Sequence, residues 1–158
     1  MHRLKPQPKS RQNLARKLAE IARIGALFID GDALDNVFAS GRDWTSGDDI
    51  NFRHGPYIEV KRTVLRIERI GDFRYFAAVS LVRQDDPAKC EAIVCGMRND
   101  LGIRPVPMTP AMRRCVRKAE IAVERIPKTG DVRAYAPIKT SEGDTIGFLM
   151  VHTALRAG

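Results

Sequence analysis

The periodicities along this chain predict an α+β fold: an antiparallel sheet with a long N-terminal helix and a helical excursion between two strand pairs. Three observations carry that reading. Apolar residues recur at threes and fours through residues 14–29 and 57–67, which is helical spacing. Two apolar, β-branched runs (residues 73–83, FRYFAAVSLVR, and 89–97, KCEAIVCGM) flank the turn Asp85-Asp86-Pro87, and a second pair (132–139 and 145–155) flanks Thr140-Ser141-Glu142-Gly143. Strands joined by such tight turns pair antiparallel, and helices kept apart from the hairpins make the class α+β. With 158 residues, 44% of them hydrophobic, the chain can bury the core of one domain.

Residues 1–9, with Pro6 and Pro8, read as a flexible basic lead to a single domain over 10–158. Ser10 is placed to N-cap the first helix, whose apolar face is Leu14, Leu18, Ile21, Ala22, Gly25, Phe28 and Ile29. The pattern extends through Leu34, Val37 and Phe38, with a bend expected at Gly31 because glycine weakens helices. Residues 41–55 are polar and read as a loop. The second helix is expected over 56–70, with Pro56 in its first turn and a stripe of Tyr57, Val60, Val64 and Ile67. After the first strand pair, residues 99–107 read as a Gly/Pro loop. Thr109-Pro110 then supplies an N-cap and first helical residue. Met112, Cys115, Val116, Ala119, Ala122, Val123 and Ile126 continue at 3-4-3-4 spacing, so the third helix is expected to run to Pro127. Gly130 turns the chain into the closing hairpin.

Charge and cysteine content narrow the functional classes. The net charge is +8. Arg3, Lys5, Lys9, Arg11, Arg16, Lys17 and Arg23 stand against Glu20 alone within residues 1–23, so most of the excess lies there and the body is near neutral. That is a basic arm rather than a broad basic face, which weakens a nucleic-acid reading and leaves, as the alternative function, a nucleic-acid-associated protein that uses this arm. No apolar run reaches the roughly 18–20 residues of a membrane helix. The N-terminus has basic residues without an apolar segment behind them, unlike a signal peptide. A cytoplasmic location is expected, or an extracytoplasmic one if the chain is cut from a membrane receptor. Cys90, Cys95 and Cys115 do not form a disulfide framework. Cys90 and Cys95 are five apart in one strand, so period two sends them to opposite faces.

Catalytic motifs are sparse. Asp30-Gly31-Asp32 with Asp35 is the sharpest cluster, since grouped carboxylates hold Mg²⁺. A metal-dependent nuclease or phosphatase would need further acids at the ends of later parallel strands, and those strands end in Arg83-Gln84, Met97-Arg98 and Lys139-Thr140. A helix-end or turn role for Asp30 and Asp32 is the stronger reading. An EF-hand would need Glu where Gly41 stands. His2, His54 and His152 do not cluster, and no nucleophile elbow, phosphate loop or zinc motif is present.

The order of elements and several local words resemble Cache-type, PAS-like sensory domains of bacterial signal-transduction proteins. The words are Leu27-Phe28-Ile29-Asp30-Gly31-Asp32-Ala33-Leu34 at the end of the long helix, Tyr57 with the Val60/Val64/Ile67 stripe, and Asp72-Phe73-Arg74-Tyr75-Phe76 at the first core strand. The best match is the closing hairpin: Ala136-Pro137-Ile138, Glu142-Gly143-Asp144 and Ile146-Gly147-Phe148-Leu149-Met150-Val151. The chain departs from that pattern in carrying neither membrane helix nor output domain, and no recognisable amino-acid pocket signature. The resemblance implies a non-enzymatic module, without a cofactor, that binds a small organic ligand between the sheet and residues 96–127. Tyr75, Ala77, Tyr135 and Phe148 would line that site, with Arg117 or His152 as polar anchors, and Ser80 is a further hydroxyl in the strand. It also implies a homodimer through the residue 10–40 helix and a signalling partner protein.

Overall fold

The computed structural model describes residues 11–38, 55–97 and 105–154. The basic lead, the Ser10 cap, most of the 41–55 and 99–107 loops, His2 and His54 lie outside the described residues.

Helix α1, Arg11–Leu27, forms on the expected stripe and buries Leu14, Leu18, Ile21 and Ala22. It stops short of the expected bend. Asp30 instead caps a separate short helix α2, Gly31–Asp35, its carboxylate accepting from the N–H groups of Asp32 (2.9 Å) and Ala33 (3.2 Å). Helix α3, Gly55–Ile67, buries Val60, Val64 and Ile67; the expected last turn to residue 70 is not helical.

Six strands follow: β1 Phe76–Val82, β2 Lys89–Cys95, β3 Val106–Pro107, β4 Ala122–Ile126, β5 Asp131–Lys139 and β6 Thr145–Ala154. They form one antiparallel sheet in the order β3-β2-β1-β6-β5-β4, so both expected hairpins exist and their inner strands, β1 and β6, meet at the centre. The fold is α+β, as the periodicities indicated.

Two expectations fail on physical grounds. Helix α4, Pro110–Lys118, is only half the expected length. Ala119 takes a left-handed conformation (φ 50°) that ends it, and residues 122–126 become β4. Ala122-Val123-Glu124-Arg125-Ile126 fits either period. Pairing with β5, whose outer edge would otherwise be left unpaired, satisfies its backbone groups. Secondly, Cys90 and Cys95 lie on the same face. The register passes from Val79↔Val94 to Ser80↔Ala92, leaving Ile93 as an extra residue in β2, and this bulge reverses the alternation.

The sheet is covered on both faces. Val79, Leu81, Val132, Ala134, Ala136, Ile138, Leu149 and Val151 pack against α1 and α3 in the larger core. Ala78, Cys90, Tyr135, Phe148 and Met150 pack against Met108, Ala111, Met112 and Cys115 of the α4 segment. Close backbone approaches fix two glycines. A Cβ on Gly31 would lie 2.1 Å from the Lys139 carbonyl oxygen, and one on Gly147 2.0 Å from that of Ser80. Glu91, 1% exposed, accepts from Arg83 at 2.9 Å, and Arg83 also pairs with Asp85, which closes the β1–β2 hairpin. Among the described residues no helix is long and apolar enough to cross a membrane.

Candidate functional site

The α4 face of the sheet is built in rows that follow from strand register. Glu124, Arg133, His152 and Phe76 are successive cross-strand neighbours in one row. Ala122, Tyr135, Met150, Ala78 and Cys95 form the next, and Pro137, Phe148, Ser80 and Ala92 the third. Tyr135 and Phe148 meet edge to face, with ring centroids 5.2 Å apart and planes at 88°. His152, 5% exposed, lies against Phe76 at 5.8 Å.

Above the second and third rows sits a sulfur-rich lining. Met108, Met112 and Cys115 come from the α4 segment, and Cys90, Cys95 and Met150 from the sheet. All three cysteines and three of the five methionines of the chain are in this one layer. The Cys90 Sγ and Met112 Sδ atoms are 4.0 Å apart. Burial pushes the Cys90 thiol up to about 11 and the Cys115 thiol up to about 12, so both stay protonated at neutral pH and are poor nucleophiles.

The first turn of α4 is tied to the sheet by a polar latch. Thr109 caps the helix, accepting from the Met112 N–H at 3.2 Å, and donates its own hydroxyl proton to Glu124 Oε1 at 3.0 Å. The same carboxylate oxygen accepts from the Tyr135 hydroxyl. Burial, reinforced by the Glu124 hydrogen bond, raises the Tyr135 phenol well above its ordinary value, so it remains a donor. Three elements, α4, β4 and β5, thus converge on one oxygen. Beside it, Arg133 is held by Asp131 at 3.3 Å.

Of the residues singled out in the sequence, Tyr135, Phe148 and His152 come together on the α4 face. Tyr75 and Ala77 do not. They alternate with Phe76 and Ala78, so they face α1 and α3. The Tyr75 hydroxyl donates to the Ile67 carbonyl and accepts from the Gly71 N–H (2.9 Å), closing the end of α3. Arg117 is exposed, since two residues beyond the inward Cys115 is roughly the opposite side of a helix. Ser80 is on the α4 face and buried. Glu124 and Arg133 are not singled out by the sequence, and Thr109 is legible there only as the helix cap it proves to be. Assigning residues 122–126 to a helix hid Glu124, and alternation with Tyr135 was the signal for Arg133.

The acidic cluster is engaged in holding the fold. Asp30 caps α2, and Asp32 accepts from the Ser141 N–H at 3.1 Å, fastening α2 to the β5–β6 turn. Among the described residues no group of three or more His, Cys, Asp or Glu is placed to hold a metal ion. Compared with known proteins, the chain matches no protein-family model and no curated sequence.

Proposed function

We propose that this chain is a non-enzymatic sensory module of the Cache/PAS-like kind that admits a small organic ligand between its sheet and the α4 segment. The observation that carries this reading is the make-up of that layer. Its lining is rich in Met and Cys, the soft and adaptable side chains of protein cores. It is closed by a nine-residue helix whose first turn is latched by hydrogen bonds to Glu124. An apolar wall with a few convergent polar groups is the usual composition of a small-molecule site, and here those groups are the Tyr135 and Thr109 hydroxyls, Arg133 and His152. A ligand that competes for Glu124 or Tyr135 would release the start of α4.

The order of a long N-terminal helix, two strands, a helical excursion and a closing hairpin is consistent with the same reading. In this proposal the signal leaves through the N-terminal helix, which pairs two copies and contacts a signalling partner. Leu27 (76% exposed) and Phe28 (68%) at its end are apolar groups suited to that contact.

The test is a thermal-shift screen with small carboxylates, amino acids, purines and polyamines, each with and without Mg²⁺. Binding to the native state alone raises stability by about 2.7 kcal/mol at a hundredfold excess over Kd. The expected result is a shift from one organic class that is lost in Arg133→Ala or His152→Ala. A panel without any shift, or a shift from Mg²⁺ alone, would remove the reading.

A further inference from the structure

The near-neutral sum of the body conceals a segregation of charge that only the fold reveals. Helix α4 has the sequence PAMRRCVRK, with four basic residues in nine and no acidic one. Its inward side (Ala111, Met112, Cys115) is consumed by the sheet, so Arg113, Arg114, Arg117 and Lys118 all fall on the exposed side. They form two pairs at i,i+4 spacing, Arg113/Arg117 and Arg114/Lys118. With a rise of about 1.5 Å per residue, the members of each pair stand about 6 Å apart along the axis. Like charges at this spacing repel, while the last-turn position of Arg117 and Lys118 lets the helix dipole offset part of that repulsion.

Few acidic side chains among the described residues neutralise this charge. Arg114 reaches Glu120 at 3.8 Å across the surface, and Arg113 donates to the Met108 carbonyl at 3.2 Å. Arg117 and Lys118 have no anionic partner among the described residues. Guanidinium groups match phosphate geometry in pairs of hydrogen bonds, and a file of cations along one helix face matches a file of phosphates. The exposed side of α4 presents no large apolar or aromatic side chain. It therefore lacks the means to insert into a lipid interface, to build an apolar protein contact, or to stack on bases.

We infer that the outward face of α4 is a docking surface for the phosphate backbone of a nucleic acid, engaged without sequence preference. This is independent of the sensory reading, because it uses the opposite side of the helix from the ligand layer. It also differs from binding through the basic N-terminal arm, whose charges belong to another part of the chain.

The experiment is fluorescence anisotropy with labelled mixed-sequence oligonucleotides, single-stranded and duplex, between about 50 and about 200 mM salt. The full chain is compared with R113Q/R114Q/R117Q/K118Q, which keeps every charge of residues 1–23. Glutamine is a good helix former, and circular dichroism checks the fold. Should the fourfold variant not fold, R117Q/K118Q replaces it. The expected result is wild-type binding that falls steeply with salt. The slope of log K against log salt should be shallower by about 3 in the fourfold variant, or about 1.5 in the double. Unchanged affinity and slope in the variants would overturn the proposal. So would an absence of wild-type binding at low salt. Equal binding of poly-glutamate would also overturn it, assigning the face to an acidic polypeptide.

Discussion

At Gly31 the missing side chain is what lets α2 lie on the end of β5, since a Cβ there would sit 2.1 Å from the Lys139 carbonyl oxygen. Because that neighbour is backbone, Gly31→Ala is expected to cost about 3 kcal/mol, at the upper end of overpacking, read as a lowered midpoint in urea. Asp30 and Asp32, the sequence's best candidates for metal chemistry, serve the same junction by capping α2 and accepting from Ser141. Residue type alone does not separate those roles, because a helix N-cap and a metal ligand both call for an exposed carboxylate. Thiol chemistry separates the cysteines. Cys90 and Cys115 are buried and held protonated, with values near 11 and 12, whereas Cys95 is half-buried. Titration of the native protein with an aromatic disulfide reagent at mildly alkaline pH should find one fast thiol, and all three in denaturant. Three fast thiols in the native state would mean that the sulfur layer is open rather than closed.

Among the elements, those with a single apolar face were legible and those that satisfy two periods were not. α1, α3 and both hairpins follow from spacing and turn residues. The β4 segment did not, because Ala122, Val123 and Ile126 continue the α4 stripe while also alternating adequately for an edge strand. The deciding factor is the unpaired edge of β5, a tertiary partner that no local pattern displays. The site suffered in the same way. Tyr135, Phe148 and His152 lie in a regular strand pair, where alternation alone puts them on one face. Tyr75 and Ala77 have the opposite parity of β1 from the α4 face, and Arg117 lies off the Met112/Cys115 stripe that the spacing itself identifies. The junction between α4 and β4 also carries a cost. Ala119 has φ 50°, where a Cβ is crowded, so Ala119→Gly should relieve about 1 kcal/mol and raise the melting temperature. A lowered melting temperature would mean that the methyl group packs usefully enough to outweigh the strain.

For the molecule as a whole, the question is how the two covered faces of the sheet communicate. Lys61 and Glu68, both from the α3 side, grip the chain where it leaves β2 toward α4. Lys61 donates to the carbonyls of Cys95 and Gly96, the latter at 3.0 Å. Glu68 accepts from the N–H groups of Met97 (2.7 Å) and Ala77 (3.1 Å). These bonds fasten the end of β2 and the start of β1 to the α3 side of the sheet. Burial is the largest influence on Glu68 and raises its pKa against the pull of those two donors and Lys61. A raised folded value means that Glu68 supports the fold most below its unfolded value near 4.5, and that this support is lost as pH rises through the folded value. Wild type should therefore gain stability relative to Glu68→Gln on acidification, as urea melts at mildly acidic and neutral pH would record. A constant difference would mean that the two N–H donors and Lys61 fully offset the effect of burial.

In the proposed sensory module the α4 layer is a latched lid rather than a fixed part of the core. Native-state hydrogen exchange tests it most directly, because it resolves local opening from global unfolding. The amides of residues 113–118 are expected to exchange through an opening well below the global free energy, while β1, β5 and β6 exchange only on global unfolding. Glu124→Gln or Tyr135→Phe should lower the α4 opening energy alone. Exchange of α4 in step with the central strands, in the wild type and in both variants, would contradict the latched lid.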